Sequence, residues 1–389
     1  MKGLELLKGV RIVEQGTFIT GPCTGMMLAD LGADVIKLES PDGDPYRAYQ
    51  GDNYSPHFQA YNRNKRSLAL DMKQPGERLL FDTLIREADV FIQNFRPGTA
   101  DRLGAGPKRL QELNPKLIYC SISGFGSSGP YVDRPSYDSV AQALSGFLSV
   151  VVDPDRPRFL GPALADAITG IYASYGVLGA LFERTRTGRG RVIEISMLEA
   201  MAHFAIEPFA AYFALGAVPA SADRPRLAQA HILRTSDGGL IAIHLSSLEK
   251  FWTGLIAALE APELASDPRF ATRLLRIEHY DALGRELDKR FSQHPVDIWV
   301  QRLGKADVPF APINKVDAVV KDPQVQHLGL MVPIENPHTA KQMVRPPVQV
   351  DGQRAANVRR APLLDEHGAA IRSRLAASTA WPDIQSDSK

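Results

Sequence analysis

Of the ionisable residues in this chain, Asp166 has the most unusual surroundings. It is the single formally charged side chain between Phe159 and Phe182. Its neighbours Ala163, Ala165, Ala167, Ile168, Gly170, Ala173 and Gly176 are small or apolar. A carboxylate in such a setting is costly to desolvate unless it is paired or put to use. Two readings follow from the residues alone: a structural acid satisfied by a neighbouring turn, or a functional acid held in a dry site.

Other groups carry weaker signals. Gly124-Phe125-Gly126-Ser127-Ser128-Gly129 has the letter pattern of a dinucleotide-binding turn, but Pro130 and Tyr131 stand where that turn must open a helix. No nicotinamide or flavin site is expected there, although such a loop lets a ligand approach the backbone. Asn62–Arg66 and Lys73 put basic side chains on either side of a short β-prone run. They read either as a solvated edge strand or as a phosphate-binding rim. The nine histidines show no metal-ligand spacing and no HExxH, so no metal is expected. His231 and His244 flank a hairpin and read as pocket or surface residues. No GxSxG elbow is present.

The elements that must position these residues follow the hydrophobic periodicity. Pro162 suits the first turn of a helix, and Ile168, Ile171, Tyr172, Tyr175, Leu178 and Phe182 recur at helical spacing. So many small side chains predict a helix buried on most sides. Its uncharged run is shorter than the roughly 20 apolar residues of a membrane span, and no membrane segment is expected. Upstream, Val10–Gln15 reads as a buried strand, Gly21–Leu31 as a helix closed by Gly32, and Val35–Leu38 as a second strand. That opening argues for a parallel sheet with crossover helices. Ser67–Leu70, Asp89–Gln93, Leu117–Ile122 and Val192–Ile195 continue the strands. The polar loops after Gln93 and Ile122 fall at strand carboxyl ends, where open α/β sheets bind ligands. The 40–64 loop carries Tyr46, Tyr49, Tyr54, Phe58 and Tyr61, and reads as a pocket wall rather than a linker.

Composition narrows the function classes. With 389 residues, 44% hydrophobic and 23% charged, the chain is an ordinary globular one, long enough for two or three domains. A net charge of +1 argues against a nucleic-acid partner. Cys23 and Cys120 are too few for a disulfide scaffold and read as reduced core residues. The N-terminal segment lacks the apolar run of an export signal, and the cytoplasm is the expected location.

Five stretches then stand together: GPCTGMMLADLGADVIKLE (21–39), NKRSLALDMK (64–73), NFRPGTADRLG (94–104), SISGFGSSGPY (121–131) and GPALADAITG (161–170). Their order and spacing resemble the class III CoA-transferase family, which includes formyl-CoA and carnitine CoA-transferases and shares its frame with α-methylacyl-CoA racemases. The resemblance covers nearly the whole chain, TGRGRVIEISMLEA (187–200) and APLLDEHG (361–368) included. It implies coenzyme A, as acyl-CoA substrate and product, with no metal, nicotinamide or flavin. It also implies that Asp166 is the nucleophile, forming a mixed anhydride with the donor acyl group and then an aspartyl-CoA thioester. From there CoA passes to a free carboxylic acid. An aspartate at its ordinary pKa of about 3.9 is ionised at neutral pH and needs no general base.

The CoA contacts that the resemblance implies are Phe18, Leu70, Lys73, Asn94, Phe95, Arg102 and Leu103. Lys73 and Arg102 would meet phosphates, and Phe18 and Phe95 the adenine or pantetheine. Tyr137 and Asp138 fall where the transferases carry Tyr and Glu beside the thioester and the racemases a catalytic histidine. Tyr137, a poor base with a reference pKa of about 10, favours a transferase over the alternative, a 2-methylacyl-CoA racemase or epimerase. The chain lacks the glycine run of formyl-CoA transferase in Arg224–Ser236. It carries Ser40 and Pro135 at two basic CoA-contact positions, with Arg134 as the nearest substitute for the second. A carboxylate larger than formate or oxalate is therefore expected, with succinyl-CoA a candidate donor.

The expected architecture is α/β. A large doubly wound, Rossmann-like domain spans 1–215 and 316–389, with a linker at 216–225 and a small α+β domain at 226–315. The resemblance implies a homodimer whose two chains interlock like links.

Overall fold

The computed structural model describes residues 4–50, 53–159, 161–246, 248–335, 338–356, 358–378 and 380–382. The first three residues, part of the segment read for an export signal, lie outside these. The chain divides into two compact units: 1–148, 159–206 and 327–389 form the first, and 149–158 and 207–326 the second.

The first unit is built on six parallel strands: β1 (Arg11–Gln15), β2 (Asp34–Glu39), β3 (Arg66–Ala69), β4 (Val90–Gln93), β5 (Ile118–Ser123) and β6 (Val192–Ser196). Their order is β3-β2-β1-β4-β5-β6, the doubly wound order with its reversal between β1 and β4. The helices are α1 (Thr20–Asp30), α2 (Pro56–Asn62), α3 (Pro75–Glu87), α4 (Thr99–Arg102), α5 (Pro107–Leu113), α6 (Asp138–Leu144), α7 (Leu164–Thr187) and α8 (Met197–Phe204).

Strands covered on both faces read as apolar runs rather than as alternating ones, and successive side chains enter opposite layers. Val13, Ile36, Phe91 and Tyr119 pack with Phe81 and Leu84 of α3, Leu110 of α5, and Ile371. Ile12, Val35, Ile92 and Cys120 pack with Leu28 of α1 and Val177 of α7. Each such side chain contributes roughly 1.5–3 kcal/mol by leaving water.

Helix α7 departs from its sequence reading. One face packs against α1 and the sheet, but Ile171 (50% exposed), Tyr175 (74%) and Phe182 (67%) form an open apolar stripe on the other. Small residues serve the packed face. A Cβ on Gly170 would stand 2.8 Å from the Cys23 Cβ and 3.3 Å from the Thr20 carbonyl oxygen, so glycine is what lets the two helices close up.

In the second unit, β7 (Ala230–Arg234), β8 (Leu240–His244) and β9 (Phe310–Pro312) make an antiparallel sheet, with TSDGG as the hairpin turn. The core includes Trp252, Leu255, Leu283, Leu287, Phe291 and Trp299. This unit extends beyond the expected 226–315 on both sides. Part of the expected 216–225 linker is helical: Asp223–Ala228 is a short helix that ends on the left-handed Gln229 just before β7. The Ala228 carbonyl accepts the Ser246 N–H, tying that helix to the far end of the hairpin. The returning segment β10 (Met331–Glu335), β11 (Gln342–Val344) and β12 (Val358–Arg359) forms a small sheet of the first unit.

Candidate active site

Asp166 lies in the first turn of α7. The N-cap residue, Ala163, has no side chain able to cap that helix. The cap comes instead from Asp138, which opens α6. Its Oδ1 accepts the backbone N–H of Ala165 at 2.7 Å and of Asp166 at 3.3 Å, and its Oδ2 accepts the Gln142 side-chain amide at 2.6 Å. A carboxylate at a helix N-terminus is favourable, and here it brings a second acid close to Asp166. Among the described residues neither carboxylate forms an ion pair. Burial, and then the Asp138 charge, push the Asp166 pKa up to about 7. This departs from the expectation of an ordinary aspartate: a carboxyl held near 7 is only part ionised at neutral pH, because it is partly buried beside a second carboxylate and no cation pairs with it among the described residues.

Gly170, one turn beyond Asp166, packs on Thr20 and Cys23 in the first turn of α1. Asp166 therefore stands near the carboxyl end of β1, beside the switch point. The loop leaving β1 is tightly held there. The Asn94 side chain, just past β4, accepts the Thr17 N–H at 2.9 Å and donates to the Thr17 carbonyl and the Thr20 hydroxyl, both at 2.8 Å. Asn94 is thus a clamp between the two switch-point loops. Phe18, in that loop, has a left-handed backbone with φ of 59°. Its ring centroid lies 5.7 Å from Tyr46 and 6.2 Å from Tyr137. Tyr46 also contacts Tyr49 and His57, at 5.2 and 5.6 Å. The aromatic part of the 40–64 segment therefore lines the same place, as its composition suggests.

The basic run 62–66 matches neither of its sequence readings. Arg63 pairs with Asp30, Lys65 with Glu14 and Arg66 with Asp34, at 2.6, 2.8 and 2.5 Å. All three side chains are buried. They are neither a solvated edge nor a phosphate rim, because partners on α1, β1 and β2 neutralise them inside. Those partners sit in or next to apolar runs, and that is the signal a sequence reader could have used. Glu14 in particular directly follows the apolar pair Ile12 and Val13 in β1.

The remaining candidates divide by accessibility. Lys73, Arg102, Arg134 and Tyr137 are exposed, and Phe95 and Leu103 are half-buried. Arg102 donates to the Thr99 hydroxyl at 2.7 Å. The Arg134 guanidinium lies 4.4 Å from the Tyr131 ring centroid. Leu70 is different: it is 3% exposed and its side chain belongs to the core beside α3. The glycine loop after β5 opens no helix before Asp138. A Cβ on Gly124 would meet the Ser136 Cβ at 2.4 Å, so this glycine admits the chain segment leading to Tyr137 and Asp138. His231 lies in the second unit, stacked on Tyr280 at 4.3 Å, with its pKa lowered by burial to about 4.

Comparison with known proteins identifies the family. The profile of the family described as CoA-transferase family III matches residues 7–368. The chain is 35% identical over 381 residues to the acetyl-CoA:oxalate CoA-transferase of Acetobacter aceti, covering 96% of each chain. It is 34% identical over 383 residues to the succinate–glutarate CoA-transferase of Agrobacterium fabrum, covering 95% of each. Among solved structures, a CAIB/BAIF family protein from Brucella suis superposes with a TM-score of 0.86 at 36% identity, over 96% of this chain and all of that one. The chain belongs to CoA-transferase family III.

Proposed function

We propose that this CoA-transferase works through covalent catalysis at Asp166. The observation that carries the reading is a carboxylate with no cationic partner among the described residues, held at the start of α7 by Asp138. The Asp166 carboxylate attacks the thioester carbonyl of the donor, the C–S bond breaks, and CoA leaves as thiolate. The thiolate then attacks the aspartyl carbon of the mixed anhydride, releasing the donor acid and leaving an aspartyl-CoA thioester. The acceptor carboxylate attacks that thioester, again expelling the thiolate. The thiolate finally attacks the acceptor's acyl carbon, giving the product thioester and restoring Asp166. Each step exchanges one activated acyl bond for another, and the partly buried site keeps water from the anhydride.

In this reading Lys73 and Arg102, with Arg134 as a third cation, bind the phosphates of coenzyme A, and Phe18 and Phe95 pack on its organic part. Leu70 contributes through the core that backs them. Tyr137 borders the thioester, and Asp138 orients Asp166 through the helix backbone. Succinyl-CoA is our proposed donor and a dicarboxylic acid our proposed acceptor. The two quoted relatives differ in both substrates at nearly equal identity, so a matrix of succinyl-CoA or acetyl-CoA against glutarate or oxalate decides this. Acetyl-CoA with oxalate as the best pair would overturn the assignment. The open stripe on α7 supports a homodimer.

The covalent step is tested by adding hydroxylamine at neutral pH after mixing the protein with succinyl-CoA. A hydroxamate mapped to Asp166, and absent from Asp166→Ala, is expected. The raised pKa of Asp166 is also what a base for an α-proton needs, which keeps the racemase alternative testable. Deuterium entering the α-carbon of 2-methylacyl-CoA from solvent, with no hydroxamate from any acyl-CoA donor, would favour it.

A further inference from the structure

We infer that Asp44 is a positioning residue for acyl-CoA binding, holding Phe18 in its left-handed conformation and setting that ring beside Tyr46 and Tyr137. The inference rests on the reading of Phe18 as a CoA contact. Asp44 is 3% exposed. Its Oδ1 accepts the Phe18 N–H at 3.1 Å and the Tyr46 N–H at 2.9 Å. One oxygen atom thus joins the loop after β1 to the turn after β2. Its Oδ2 lies 3.0 Å from the Lys37 Nζ, and the same Nζ donates to the Gly16 carbonyl at 2.8 Å. Lys37 is fully buried. If the carboxylate turned away from Phe18, the buried ammonium would lose its shorter ion pair and keep only the 3.5 Å contact with Glu14, which also serves Lys65.

The need for such a device is visible in Phe18 itself. A bulky residue occupies φ near 59° only where its surroundings over-determine it. The neighbouring acids do not reach the Phe18 backbone. Glu14 accepts the Gly16 N–H, pairs with Lys65 at 2.8 Å and shares the Lys37 ammonium with Asp44 at the longer distance of 3.5 Å, and Glu39 accepts from Arg47, Ser67 and the Asp44 N–H. Among the described residues, Asp44 is the side chain bonded to the Phe18 backbone. Both rings that it sets stand within aromatic contact distance of Phe18 or are Phe18 itself.

The test compares Asp44→Ala and Asp44→Asn with Asp30→Asn, which removes a buried ion pair that touches neither Phe18 nor Tyr46. Affinity for CoA is measured by calorimetry and KM for succinyl-CoA by steady-state assay, at a temperature where circular dichroism shows each protein folded. Asp44→Ala is expected to weaken CoA binding and raise KM about tenfold or more, with kcat falling less. Asp44→Asn keeps an acceptor for the two N–H groups but loses the Lys37 anchor, and should show about a threefold effect. Asp30→Asn should leave both quantities unchanged. A folded Asp44→Ala within about twofold of wild type overturns the inference, as does an equal effect in Asp30→Asn. Should Asp44→Ala not fold, Asp44→Asn against Asp30→Asn decides by the same criterion. A wild-type protein that binds no CoA would overturn the reading of the site and this inference with it; wild-type binding with an unaffected Asp44→Ala overturns this inference alone.

Discussion

At the scale of single residues, the raised pKa of Asp166 links reactivity to stability. A nucleophilic carboxylate must be ionised, so with a pKa of about 7 roughly a tenth is competent at pH 6 and roughly nine-tenths at pH 8. The rate of hydroxamate trapping should rise about tenfold between those values and level off above. A rate already flat at pH 5 would show an aspartate of ordinary acidity. The stability effect has the opposite sign. Because the folded pKa lies above the unfolded one, the group's stabilising contribution is complete below about pH 4 and is lost as pH rises through 7. Asp166→Asn removes that loss. Its melting temperature should exceed that of the wild type at pH 8, by the equivalent of a few kcal/mol, and the gap should narrow toward pH 4. Asp138 belongs to the same argument, since its charge is both helix cap and repulsive neighbour.

At the scale of elements, the contact of α1 with α7 decides where Asp166 sits. Gly170 has no room for a Cβ against Cys23 and Thr20, so Gly170→Ala should push the helices apart. Overpacking costs roughly 1–3 kcal/mol, against a gain of about 1 kcal/mol in helix propensity. We expect a lower denaturant midpoint together with slower hydroxamate formation. A variant as stable and as fast as wild type would show that α7 has freedom to shift. The helices and strands themselves were largely legible, because apolar runs flanked by Gly and Pro mark them in Val10–Gln15, Val35–Leu38 and Asp89–Gln93. The cap on α7 was not legible. Asp138 lies 28 positions before Asp166, and local patterns read caps only within a few residues.

For the whole molecule, the open stripe Ile171, Tyr175 and Phe182 calls for a partner. A contiguous apolar face of this kind marks an interaction surface, and a second copy of the chain is the occupant we propose. Sedimentation should give a dimer at micromolar concentration. Tyr175→Glu with Phe182→Glu should yield monomer or aggregate with reduced activity, and a wild-type monomer would refute the assignment. If the chains interlock, unfolding and dissociation coincide in a single transition.

The amino-acid order alone determined the parallel α/β frame, the family resemblance and the prominence of Asp166, because periodicity and an isolated charge in an apolar run are local properties. Tertiary structure decided what the charges do. Arg63, Lys65 and Arg66 look like a basic rim in the sequence and are buried ion pairs in the fold, because their partners lie on α1, β1 and β2. Asp166 carries the acidity of an ordinary aspartate in the sequence, and in the fold its pKa is pushed up, because burial and a carboxylate from a distant helix act on it through space. Charge is written in the sequence, but its surroundings exist only once the chain has folded.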